Sequence, residues 1–130
     1  MGSRKRDRSW PPAGAVAPLA APVTDNHTPL PVPADPGGPG SEAPLSAAEL
    51  VGRAAAVGVT RVVTSACEVA TWEESLALAR ELPGVRVALA VHPNEAVLHA
   101  GVRETGPDGL APRARAHHAE PLEEVMVRLE

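Results

Sequence analysis

The sequence of 130 residues predicts an α/β fold, and three observations carry that reading. Two short, β-branched and nearly continuous apolar runs, at 59–65 and 85–91, read as strands of a parallel sheet. Each follows a stretch that opens with Ser/Thr-x-x-Glu and carries apolar residues at helical spacing, at Ser46–Glu49 and Thr71–Glu74. A further short strand within 21–27 precedes them. The order is then β-α-β-α-β, the repeating unit of α/β proteins.

The elements follow in order. Residues 1–20 form a flexible tail whose basic cluster, Arg4-Lys5-Arg6 with Arg8, is followed by Ser9-Trp10-Pro11-Pro12. That sequence interrupts the apolar run a signal peptide needs. Residues 21–130 form one partial domain, with a Pro/Gly-rich loop at 29–44. Residues 1–44 hold ten of the 15 prolines, so this third supports no steady helix or strand period. From Ala47 to Val57 a helix aligns Leu50, Ala54 and Val57, and Gly58 sits just past its end. A second helix runs from Trp72 to about Leu82, aligning Trp72, Leu76 and Ala79, and Pro83-Gly84 stops it. Residues 101–116 lack a pattern. A last helix from about Pro121 presents Leu122, Val125, Met126 and Leu129, with no following strand to receive them. The pattern reads as an incomplete series of repeating units.

Composition narrows the function classes. There is no Phe, Tyr or Ile, so the core is built from Val, Leu and Ala, whose burial contributes roughly 25 cal/mol per Å². With so small a core, a stand-alone domain of this size is expected to be marginal. The net charge is −4, with eleven Arg and one Lys, and no basic stripe suited to phosphate neutralisation along a nucleic acid. A single cysteine, Cys67, excludes an internal disulfide and fits a reducing compartment, the cytoplasm. No apolar run reaches membrane-spanning length, so no membrane partner is expected.

The residues able to carry chemistry are few. In Val23-Thr24-Asp25-Asn26-His27-Thr28-Pro29-Leu30, His27 leaves the first strand. A second imidazole at i+2 would share its side of the chain, but Pro29 stands there and has no lone pair to offer. Asp25 can orient His27 as an acceptor, or can be an ordinary strand-end carboxylate. His92 lies where the third strand meets a loop, the place at which α/β proteins set their chemistry. Its plain alternative is a polar cap on a buried strand end. Glu95 reads as a first-turn carboxylate favoured by the helix dipole. The adjacent His117 and His118 cannot share one face and read as solvent-exposed. Cys67 reads as an inert buried thiol, and Trp72 as core.

Three segments together resemble the TatD family of metal-dependent hydrolases. Val23 to Leu30 resembles that family's opening D-x-H-x-H-L. Ala54-Ala55-Ala56-Val57-Gly58-Val59-Thr60-Arg61-Val62-Val63 resembles its helix-to-strand passage AAAAGVTRVV. Val91-His92-Pro93-Asn94-Glu95-Ala96 resembles its G-x-H-P strand end. The resemblance spans most of residues 21–130 in order. It implies the N-terminal β-α-β-α-β part of a (β/α)8 TIM-type barrel, and deoxyribonuclease chemistry in which a divalent metal (Mg, Mn or Zn) activates water against a phosphodiester. It assigns His27 to the metal and His92 to the substrate, which is DNA or a small phosphodiester. It supplies no catalytic residue, because the family's remaining ligands have no counterpart up to Glu130. The expectation is therefore a chain weakly active or inactive alone. The alternative is a non-catalytic α/β unit or pseudoenzyme with an interaction role, in which Pro29 marks lost function.

Overall fold

The structure, a computed structural model, describes residues 14–34, 45–107, 109 and 111–129. Three parallel strands, β1 (Val23–Thr28), β2 (Val59–Ala66) and β3 (Val85–Leu89), lie side by side in sequence order. Helix α1 (Ala47–Ala56) joins the first two strands and α2 (Trp72–Glu81) the last two. After β3 come α3 (Pro93–His99), a 3-10 turn at Ala116–Ala119 and α4 (Leu122–Val127). The α/β expectation therefore holds for the described residues. Their helices include none long and apolar enough to cross a membrane.

Local chemistry explains where the helices start and stop. At α1 the expected capping box is formed. The Glu49 N–H donates to the Ser46 hydroxyl at 3.2 Å, and the Ser46 N–H donates to Glu49 Oε2 at 2.8 Å. Gly58 ends this unit with φ +99°, a conformation that side chains resist. The box expected at Thr71 does not form. Thr71 already has helical angles (φ −98°, ψ −7°), so its hydroxyl cannot reach forward as a cap does, and it donates to Glu68 O at 2.7 Å. A 3-10 turn, Val69–Thr71, leads into α2 instead.

The sheet is covered by helices on one face. Along β2, Val62, Thr64 and Ala66 are buried, whereas Thr60 and Arg61 are exposed and Val63 and Ser65 half-buried. In β3 the alternation repeats, with Val85 fully buried and Arg86 and Ala88 exposed. Residues of both α1 (Ala47, Leu50, Val51) and α2 (Leu78, Ala79) gather on Val62 and Val85. Among the described residues the helices cover only this face of the sheet.

Two other expectations change. Leu30 and Val32, in the Pro/Gly-rich loop, are buried, and Leu30 belongs to the main core. The buried Thr64 hydroxyl accepts the Leu30 N–H at 3.1 Å, which holds the loop over the sheet. Residues 35–44 of that loop lie outside the described residues. The last helix does find a receiver. Val125 is fully buried in a second cluster with Ala66, Val69 and Trp72, and Leu129 packs against it, while Met126 stays exposed. Trp72 is core, as expected. Its indole N–H lies 3.1 Å from Ala66 O and 3.2 Å from Ala90 O, tying β2 to the chain leaving β3.

Candidate functional site

The C-terminal edge of the sheet carries the residues singled out in the sequence. Between the paired positions Asp25–Val62 and Thr28–Thr64, β1 has two residues, Asn26 and His27, where β2 has one, Val63. This is a β-bulge, which kinks the strand and re-aims its side chains. Asp25 shapes it: its Oδ1 accepts the His27 N–H at 3.1 Å, an Asx-type turn. Hydrogen bonds from the Thr28 side chain and the His27 N–H hold the exposed Asp25 carboxyl below its usual range. Asp25 thus bonds the His27 backbone. His27 itself is exposed.

His92 sits at the same edge two strands away, at the end of β3. Its N–H donates to Cys67 O at 3.0 Å, and its Nδ1 accepts the Asn94 N–H at 3.2 Å, so it caps α3. Cys67 is half-buried. The site implied by the family resemblance is not completed here. Among the described residues, His27 belongs to no group of three or more His, Cys, Asp or Glu able to converge on one ion. Pro29 beside it contributes no ligand. A cavity of about 470 Å³ lies next to this strand end, lined by Asp25, Pro29, Leu30, Val57 and Val62 among others. Its walls are largely apolar, and neither His27 nor His92 lines it.

A second constellation lies behind α3. Glu95 and His99 are one helical turn apart and project from one face of α3. The 3-10 turn Ala116–Ala119 brings His117 and His118 against them. Glu95 Oε2 is 2.7 Å from His118 Nε2 and 3.1 Å from His117 Nε2. One ligand-type atom from each of the four residues lies within 4.8 Å of those of the other three, and the group can hold a metal ion.

The protons of the cluster can be partly assigned from its hydrogen bonds. The Arg115 N–H donates to His118 Nδ1 at 2.8 Å, so in the neutral ring the proton sits on Nε2 and is given to Glu95. His99 Nδ1 lies 2.8 Å from Glu120 O, an oxygen that can only accept, so Nδ1 carries a proton. His99 is 5% exposed, and its Nε2 is buried with no hydrogen-bond partner among the described residues. Leaving such an atom unpaired costs about 1–3 kcal/mol. Burial pushes the Glu95 carboxyl up, but hydrogen bonds from His118 and His117 outweigh it and hold it below the usual range. An Arg115–Glu68 ion pair at 2.7 Å ties the same segment to the end of β2.

This cluster corrects two sequence expectations. His118 is buried and His117 half-buried, and both reach one carboxylate oxygen. In a tight 3-10 turn two long rings, with centroids 4.0 Å apart, converge even though their Cβ atoms diverge. Glu95 serves these rings as well as the helix start. The signal present in the sequence was Glu95-x-x-x-His99, an i, i+4 pair of ligand types next to a strand end. Its partners, His117 and His118, lie just beyond the patternless 101–116 stretch, where spacing carries no information. Comparison of the chain with protein-family models, with curated proteins and with solved structures gives no match.

Proposed function

We propose that this chain carries the β-α-β-α-β unit of a TatD-like metal-dependent hydrolase, with the C-terminal edge of its sheet as the face that meets a phosphodiester substrate. One observation carries the reading: three parallel strands in sequence order, β1-β2-β3, receive helices on a single face. Doubly wound sheets are covered on both faces. In a (β/α)8 barrel each strand has a helix outside and its inner face turned to the other strands. The reaction face of such barrels is the C-terminal edge, and His27 and His92 both lie there. Neighbouring strands are about 4.8 Å apart, so the ends of β1 and β3 stand roughly 10 Å from each other, a span suited to one phosphodiester. The bulge at Asn26–His27 also favours the reading, because bulges gather next to active sites.

In this reading His92 uses Nδ1 to cap α3 and has Nε2 to offer a substrate phosphate on DNA or a small phosphodiester. A divalent ion (Mg, Mn or Zn) would polarise the phosphate and activate water. The residues present at His27 do not complete a site for it, so no step is assigned to this chain alone. Low activity follows, in a cytoplasmic setting compatible with one free thiol.

A second reading has a specific observation in its favour. The exposed, lone His27 beside Pro29 fits a non-catalytic α/β unit. The two are separated by assaying the purified chain on bis(p-nitrophenyl) phosphate and on short DNA duplexes with Mg²⁺, Mn²⁺ or Zn²⁺. Slow turnover that disappears with chelator and falls in His27→Ala supports the hydrolase. Absent or chelator-insensitive turnover supports the non-catalytic unit.

A further inference from the structure

We propose that Glu95, His99 and His117 form a binding site for a divalent d-block metal ion of the zinc class, separate from the strand-end histidine. The site is a fixed feature of the fold. Two ligands come from one turn of α3 and the third from the 3-10 turn at Ala116–Ala119. A tetrahedral zinc with bonds near 2.1 Å needs ligand atoms about 3.4 Å apart. The ligand-type atoms of the cluster, all within 4.8 Å of one another, come to that spacing by small side-chain rotations, with the ion displacing the proton that His117 Nε2 shares with Glu95 Oε2.

His99 is the residue that points to a ligand. A proton on Nδ1, given to the Glu120 carbonyl, leaves the lone pair of a neutral ring on Nε2. That is the arrangement of a metal-bound histidine, whose outer nitrogen is held by a carbonyl or carboxylate. Here Nε2 is buried and meets no donor among the described residues. Among the described residues no other buried side-chain N or O lacks a partner, and a buried acceptor lone pair of this kind suits a cation.

The four neighbours do not have equal roles. His118 is pinned by the Arg115 N–H on Nδ1, so its Nε2 carries a proton and donates to Glu95 Oε2. The Nδ1 bond fixes this tautomer, so His118 Nε2 does not ligate, whereas the described residues place no such bond on His117 Nδ1, and the His117 Nε2 proton can leave when the ion binds. His118 is therefore a positioning residue that holds the carboxylate. Both rings use Oε2, so the carboxylate can turn Oε1 toward an ion while His118 retains Oε2. The resulting set is two imidazoles and one carboxylate, leaving a fourth position open. Imidazole donors select zinc, cobalt or nickel over magnesium and calcium, which prefer all-oxygen shells.

The alternative is a proton-sharing clasp that binds no ion. The test uses the tag-free chain, with calorimetric titration of ZnCl₂ and visible absorption of the CoCl₂ complex. The proposal expects one zinc per chain, and an intense cobalt d–d spectrum typical of four-coordination. It expects His118→Ala to weaken zinc by about 10–100-fold, as loss of an outer partner does, and His99→Ala, His117→Gln and Glu95→Gln to weaken it more. His117 is half-buried, so His117→Gln retains the fold and reports even where His99→Ala does not, with far-UV dichroism as the check. Absence of zinc binding, unchanged affinity in folded His117→Gln, or affinity lost in His27→Ala instead, overturns it. These readouts need no turnover, so failure here and failure of the hydrolase reading are distinguishable.

Discussion

Glu95 Oε2 lies 2.7 Å from His118 Nε2, the shortest of three hydrogen bonds that fasten the segment after the patternless stretch to α3. The carboxylate side chain is 14% exposed and the ring 1%, so the pair is shielded from solvent. Hydrogen bonds to a charged group contribute about 1.5–3 kcal/mol. Replacing Glu95 by Gln is expected to lower the free energy of unfolding by an amount in that range, measured by urea denaturation at neutral pH.

The pH dependence of that contribution has a definite sign. The folded carboxyl titrates below its ordinary value of 4.5, so its stabilisation is complete above about that pH and is lost as the pH falls through the lower folded value. The stability gap between wild type and Glu95→Gln is expected to close as the pH falls through that lowered value. A gap that stays open in strong acid contradicts the assignment.

Trp72 gives the next prediction. Its indole N–H serves Ala66 O and Ala90 O, and Arg128 stacks 5.3 Å from the ring centroid. Phenylalanine would fill much of the same space without the donor. Trp72→Phe is expected to destabilise by about 1–3 kcal/mol, seen as a lower denaturation midpoint with an unchanged far-UV spectrum.

Leu30 tests whether the Pro/Gly-rich segment belongs to the core. It is 7% exposed and packs with Ala47, Val62 and Val85. Leu30→Ala is expected to cost about 2–4 kcal/mol. A change under half a kcal/mol, on the order of a surface substitution, would show that the loop does not dock.

Val125 tests the docking of α4. It is fully buried against Ala66, Val69 and Trp72, so Val125→Ala is expected to cost about 2 kcal/mol and to raise amide exchange in α4. Its exposed neighbour Val127 serves as the internal control, with an expected effect within about 0.5 kcal/mol.

Much of the fold was legible in the sequence because the signals are local. Ser46 and Glu49 announce a capping box, Gly58 a left-handed stop, and Val62-Val63 a strand, and each acts within a turn of itself. Thr71 misled because a cap depends on the backbone angles of the residue before the helix, and here a 3-10 turn had already set them. One-face coverage of the sheet was not legible, since Val, Leu and Ala suit a face under a helix and one that is half-open alike. At the site, His27 and His92 could be placed from their strand ends. The clustering of Glu95 with His117 and His118 could not, because it depends on a long-range return of the chain across residues without periodicity.

The central claim is that the Glu95–His99–His117 pocket binds a metal ion of its own, separate from the strand-end histidine. Its most direct measurement is an anomalous difference map, recorded on both sides of the zinc absorption edge from crystals grown with zinc. The account predicts one peak bonded to a Glu95 oxygen, His99 Nε2 and a His117 ring nitrogen, with His118 still donating to the carboxylate. No peak within bonding distance of His99 would contradict it.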